Sequence, residues 1–212
     1  MTKALIFDFD GVIVLSEQAR FRVLQQSAQK YDVQIDDDLF NEMVGRTTTY
    51  FFANSLPHVN EGILDKIRSD YTKEYKDKIV DHVVPVAVTT DFIRNYDGSR
   101  LLAVASGSTK TALDTVLTHL EIHDKFACIV GQEHVTHHKP DPEVYNLTAS
   151  QLGCSSQDCI VVEDTVLGAQ AAIAAGMKVY IFLNGVNSRA EFDGVNVTGF
   201  LETIEQLQQA LV

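Results

Sequence analysis

Three things are scarce in this chain of 212 residues: cysteine, positive charge and long uninterrupted hydrophobic runs. The cysteines are Cys128, Cys154 and Cys159, odd in number and without C-x-x-C spacing, which argues against a disulfide framework or a thiolate metal site. Cys128 and Cys159 lie in apolar stretches and are expected as small buried hydrophobes in a reducing cytoplasm. Lys and Arg number 17 against 29 Asp and Glu, a formal net charge of −12. A duplex-binding surface needs a basic footprint, so no nucleic-acid partner is expected. An anionic ligand would have to be met by a local positive field, from a metal ion and a few Lys or Arg. No apolar run reaches transmembrane length, and the opening Met-Thr-Lys-Ala-Leu-Ile-Phe-Asp meets charge too early for a signal peptide. The expectation is a cytoplasmic protein without a membrane partner, in which the Asn-x-Thr triplets at Asn146 and Asn196 are not glycosylation sites. No internal repeat or low-complexity segment is present.

What is there is an alternation. Short Val- and Ile-rich runs at residues 4–9, 101–105, 127–130, 159–162 and 178–182 read as buried strands of a parallel sheet. Between them, residues 110–120, 141–152 and 165–175 carry helical signals. Asp141 is the expected N-cap of the second, with Pro142 at its first position, and Gly176 follows the Ala-rich third. This is the pattern of a doubly wound, Rossmann-like α/β core. Residues 16–82 break it. They show no strand and read as helices at 17–30, 37–44, 48–54 and 61–79. The predicted organisation is a core of residues 1–15 and 83–212 with a small all-helical domain, 16–82, inserted after the first strand. That is where open α/β sheets bind ligands, and the insert is placed to act as a lid.

Chemistry concentrates where predicted strands end. In Asp8-Phe9-Asp10-Gly11, residues two apart on a strand share a face, so two carboxylates are expected to point one way, and Gly11 permits a turn. Paired carboxylates repel unless a cation or a shared proton compensates. Glu163-Asp164 follow the strand at 159–162, and parallel strands end at one edge, so both acidic pairs converge there. Three or four carboxylates in one crevice favour a hard cation such as Mg²⁺. Ser106-Gly107-Ser108 closes another strand before a helix start, a setting whose free amides favour phosphate. Lys139, in His138-Lys139-Pro140-Asp141-Pro142, precedes a stiffened helix start. His137 and His138 are read as loop residues.

These four signals, in this order, resemble the haloacid dehalogenase superfamily, in its branch with a helical cap after the first strand. Within it, the β-phosphoglucomutase-like and sugar-phosphate phosphatase group is the most similar. The resemblance implies a phosphatase acting on a small phosphorylated metabolite through an aspartyl-phosphate. In it Asp8 is the nucleophile and Asp10 the general acid and base. Ser106, Gly107 and Ser108 hold phosphoryl oxygens beside Gly11, and Lys139 neutralises charge. It implies Mg²⁺ bound by Asp8, Asp10 and Asp164, with Glu163 a ligand or a supporting partner. In the cap, Arg46 resembles the arginine that grips a distal phosphate, and Lys110 is a weaker candidate for that task. Two departures stand out: Leu15 replaces the Asp expected before Ser16-Glu17, and Arg20 stands where mutases carry a His. The second lowers the alternative, an intramolecular phosphoryl transfer of the β-phosphoglucomutase kind. A non-enzymatic phospho-Asp binding module is the remaining alternative, disfavoured by the helical insert. A monomer is the expected state.

Overall fold

The first strand, β1 (Ala4–Phe7), is Ala-Leu-Ile-Phe with every side chain buried, the signature of a strand covered on both faces. In the computed structural model, which describes residues 2–43, 48–77, 79–98 and 100–210, β1 leads through a tight turn into a run of helices. These are α1 (Ser16–Gln29), α2 (Phe40–Met43), α3 (Thr48–Ser55), α4 (Glu61–Asp77) and α5 (Ile79–His82). The chain then alternates: α6 (Ala87–Arg94), β2 (Leu101–Ala105), α7 (Lys110–His119), β3 (Cys128–Val130), α8 (Glu143–Gln151), β4 (Cys159–Glu163), α9 (Val166–Ala174), β5 (Lys178–Phe182), β6 (Gly199–Leu201) and α10 (Ile204–Ala210).

Two units result, Leu15–Val84 and the remainder, Met1–Val14 with Pro85–Val212. The helical unit has its own core. Phe21, Leu24 and Ala28 on α1, and Leu64, Ile67 and Tyr71 on α4, recur at helical spacing and pack with Phe51 and Phe52 of α3. Among the described residues no helix is long and apolar enough to cross a membrane.

The larger unit is a doubly wound α/β domain. Its sheet is parallel throughout, in the order β3-β2-β1-β4-β5-β6, and α8 and α9 pack against it. The order puts β1 at the centre, between β2 and β4. Phe7 pairs with Val104 on one side and Val162 on the other. The next residues along each strand therefore lie abreast: Asp8 after β1, Ala105-Ser106 at the end of β2, Glu163-Asp164 at the end of β4. Cys128 and Cys159 are buried, as their apolar surroundings led one to expect.

Several local expectations are corrected. β1 stops at Phe7, so Asp8 and Asp10 do not share the face of a strand. Asp10 is instead placed by the turn that follows, in which the Gly11 N–H donates to the Val14 carbonyl at 2.7 Å and Gly11 adopts φ +81°. The helix after Lys139 starts at Glu143, with Pro142 as its N-cap, although the Asp141 carboxylate still accepts the Glu143 N–H at 2.9 Å. α6 carries no clear sequence signal because two threonines, Thr89 and Thr90, occupy its buried face, the latter donating its hydroxyl to the Val86 carbonyl. β6, at three residues, is too short to show a period.

Candidate active site

Asp8 lies just past the end of the central strand, its N–H donating to the Val162 carbonyl at 2.9 Å and only 6% of its surface exposed. Such a carboxylate needs a counter-charge, and Lys139 supplies it. The Lys139 Nζ donates to Asp8 Oδ1 at 2.6 Å, to Glu163 Oε1 at 2.6 Å and to the Ala105 carbonyl at 3.3 Å. Its ammonium also stands 5.0 Å from the centroid of the Tyr145 ring. Burial pulls Lys139 down, but the Asp8 and Glu163 carboxylates outweigh it and hold the ammonium well above the ordinary lysine value. No described residue donates a hydrogen bond to Asp8 Oδ2.

Glu163 is wholly buried and fully engaged. Its Oε1 accepts from Lys139 and from the Tyr145 hydroxyl, while Oε2 accepts the Asp164 N–H, the Thr165 N–H and the Thr165 hydroxyl. Both of its oxygens are thus committed to protein donors, through five hydrogen bonds. Glu163 depends in turn on a glycine. A side chain at Gly168, in the first turn of α9, would coincide with the Glu163 carboxylate. Gly168→Ala is therefore expected to displace Glu163 and loosen Lys139, lowering stability by about 1–3 kcal/mol and activity with it. Chemical denaturation beside a turnover assay checks this.

Asp10 faces a different set of partners. Its Oδ2 accepts the Ser108 hydroxyl at 2.8 Å and lies 3.3 Å from the Ser106 hydroxyl, which itself accepts the Ser108 N–H at 2.9 Å. Asp8 and Asp10 thus sit in distinct environments, one on an ammonium and one on hydroxyls. The start of α7 is less open to an anion than its sequence implied. The Lys110 N–H is taken by both oxygens of Glu133, and the Ala112 N–H by the Thr109 hydroxyl. Gly107, between the two serines, has no acceptor for its N–H among the described residues.

The third carboxylate is Asp164. As a residue it is half-buried, but its Oδ1 is sealed from solvent and has no hydrogen-bond partner. An oxygen of Asp8, of Glu163 and of Asp164 lie within 4.8 Å of one another. Burial first, then the neighbouring Glu163 and Asp8 charges, drive Asp164 well above the usual carboxylate range. Burial likewise lifts Asp8 to about 7 against the pull of Lys139. Three clustered carboxylates, two of them on the Lys139 ammonium and the third with a buried orphaned oxygen, are a donor set that fits a hard divalent cation. Gly11 serves the same corner, since a side chain there would collide with the Asp164 carboxylate.

Three sequence candidates remain. Lys110 Nζ is held by both oxygens of Asp114, at 2.5 and 2.6 Å. Arg20, within the helical unit, donates to Glu17 at 3.0 Å and to the Tyr71 hydroxyl at 3.2 Å. Arg46, with Gly45, lies outside the described residues. Conversely, Tyr145, Asn184 and Asn187 belong to the site although nothing singled them out beforehand. Tyr145 is on the buried face of α8. Asn184 donates to Asp164 Oδ2 and to the Gly11 carbonyl, and Asn187 to the Asp164 carbonyl. Both asparagines follow a strand end at the same sheet edge as Asp8 and Asp164, the signal that had located those two.

Comparison with known proteins agrees with this geometry. Residues 5–182 match the family model described as haloacid dehalogenase-like hydrolase. The fructose-1-phosphate phosphatase YqaB of Escherichia coli is 31% identical over 175 residues, spanning 82% of this chain and 92% of that protein. A phosphorylated carbohydrates phosphatase of Thermotoga maritima is 27% identical over 197 residues, spanning 87% of each. Among solved structures, a HAD family hydrolase from Deinococcus radiodurans, crystallised with phosphate and sodium, superposes with a TM-score of 0.82 at 22% identity. It covers 99% of this chain and 95% of that one, and shows the shared fold. With its family match spanning most of the sheet and the whole carboxylate–lysine cluster, this chain belongs to the haloacid dehalogenase-like hydrolases.

Proposed function

We propose that the chain is a phosphatase that hydrolyses a small phosphate monoester, a sugar phosphate or a related metabolite, through a phosphoryl group carried transiently on Asp8. The observation that carries this is the state of the Asp8 carboxylate: buried, with Oδ1 on Lys139 and Oδ2 without a donor among the described residues. An oxygen so placed can attack. Asp8 forms a bond to phosphorus as the ester P–O bond breaks, and the leaving alkoxide takes a proton from Asp10. Water then gives a proton to Asp10 and attacks the same phosphorus. The aspartyl–phosphate bond breaks, and inorganic phosphate leaves with Asp8 restored. Ser106 and the Gly107 N–H steady the phosphoryl oxygens, and Lys139 offsets charge on Asp8 as the phosphate approaches. Glu163 and Tyr145 hold Lys139 in line.

A divalent cation, Mg²⁺ by the hardness of the donors, would be held by the carboxylates of Asp8 and Asp164 with the Asp10 carbonyl. When bound it supplies the positive charge that lets a phosphate dianion come up to these carboxylates. Two relatives bear the names of phosphatases of phosphorylated carbohydrates, which is the support for the substrate class. The helical unit, Leu15–Val84, is assigned the role of a cap that selects among esters, with Arg46 its leading candidate contact. Lys110 is set aside for that task because Asp114 holds its ammonium.

The test is phosphate release from a panel of esters: sugar 1- and 6-phosphates, glycerol phosphate, phosphoglycolate, mononucleotides and an aryl phosphate. Release in Mg²⁺, lost in chelator and strongest with a sugar phosphate, is the expected result. No release from any ester, with isomer formation from glucose 1-phosphate, would replace hydrolysis by intramolecular transfer.

A further inference from the structure

Asn184 stands two residues beyond the end of β5, the strand paired with β4. Its side-chain amide meets two acceptors at once, Asp164 Oδ2 at 3.0 Å and the Gly11 carbonyl at 3.0 Å. Which end of the amide faces them is fixed locally, because Asn184 Oδ1 accepts the Val186 N–H at 2.9 Å and the Asn187 N–H at 3.3 Å. Asn187 closes the turn. Its Oδ1 accepts the Asn184 N–H at 3.1 Å, and its Nδ2 donates to the Asp164 carbonyl at 2.7 Å and to the Phe182 carbonyl at 2.9 Å. One four-residue turn thus grips Asp164 by both backbone and carboxylate.

A carboxylate free to rotate offers either oxygen, and an amide bound to one oxygen removes the choice. Here Oδ2 is committed to Asn184, while Oδ1 is buried and uncommitted, in a residue whose carboxylate clusters with those of Asp8 and Glu163. The second contact, to the Gly11 carbonyl, ties the turn carrying Asp10 to the loop carrying Asp164. We propose that Asn184 is a positioning residue for the cation: it holds Asp164 with Oδ1 presented and locks together the two loops that supply the oxygen ligands. This rests on the assignment of Asp164 as a Mg²⁺ ligand. Groups that orient a ligand in this way typically contribute about 10- to 100-fold to metal affinity.

The experiment is calorimetric titration of Mg²⁺ into the full chain without any ester. Wild type is compared with Asn184→Ala and Asn184→Ser, and melting of all three is followed in chelator. The serine hydroxyl can still accept from the turn amides but is too short to reach Asp164. Both variants are expected to bind Mg²⁺ about 10- to 100-fold more weakly while melting within about 3 °C of wild type in chelator. At saturating Mg²⁺ the KM for an ester should match wild type. Variants that bind Mg²⁺ as wild type does would overturn the role of Asn184 alone. Variants that both lose their fold in chelator would also overturn it, assigning the residue to the scaffold. A wild type that takes up no Mg²⁺ would remove the ligand assignment of Asp164, and this inference with it.

Discussion

Asp8→Asn is expected to abolish phosphate release, by at least about a thousandfold, while the protein keeps its fold. The substitution is nearly isosteric, and the Asn side-chain oxygen can still accept from Lys139 Nζ, so packing at the end of β1 is preserved. What is lost is the anionic oxygen proposed to attack phosphorus. A stability signature comes with it. In the native chain burial raises Asp8 from 3.8 to about 7. The folded state therefore holds a proton that the unfolded state has released, and stability in chelator declines as pH rises between those two values. Asp8→Asn has no such proton. The difference in melting temperature between variant and wild type, measured in chelator, should move in favour of the variant from about pH 4 to about pH 7 and then level off. A flat difference would mean that Asp8 is not the strained carboxylate its burial indicates.

Lys139→Met strikes both catalysis and the fold. The ammonium is shared by two buried carboxylates at 2.6 Å each, and removing it leaves both uncompensated. Breaking a buried pair from one side costs about 3–5 kcal/mol, a fall of about 6–20 °C in melting temperature for a chain of this size. Turnover should drop by at least about a hundredfold, because the charge proposed to let a phosphate approach Asp8 is gone. Arginine is not expected to rescue it. The slot is bounded by Asp8, Glu163, the Ala105 carbonyl and the Tyr145 ring, and suits a compact ammonium rather than a planar guanidinium fork. Calorimetric melting and a turnover assay on both variants check the pair of effects together.

Much of this was legible in the sequence, for an identifiable reason. The strands that matter are short apolar runs buried on both faces, and in a parallel sheet they all end at one edge. Polar residues immediately past them, Asp8, Ser106 and Glu163-Asp164, could be collected there without knowing the strand order. Lys139 was located by its place before a Pro-stiffened helix start, though its reach to Asp8 and Glu163 depends on the sheet bringing β1, β2 and β4 abreast. The period-two argument for Asp8 and Asp10 failed because the strand ends one residue too soon, and the turn at Gly11 does the work instead. The helix-start argument at Lys110 failed because Glu133, from a short 3-10 turn 23 residues on, occupies the amide. Tyr145 hid on an apolar helix face, where a tyrosine reads as packing. Asn184 and Asn187 sit in a turn whose composition is that of any turn. Their place just past β5 puts them at the same sheet edge, but their partners are distant in sequence, and the pairing of β5 with β4 is what brings them to Asp164.

The central claim is that phosphoryl transfer passes through Asp8, and trapping the covalent species tests it most directly. Protein mixed with excess sugar phosphate and Mg²⁺ would be quenched in acid during turnover, digested, and its peptides weighed. The prediction is one phosphoryl group on the peptide that contains Asp8, absent from Asp8→Asn. Vigorous turnover with no phosphoryl group on that peptide, and activity surviving in Asp8→Asn, would contradict it.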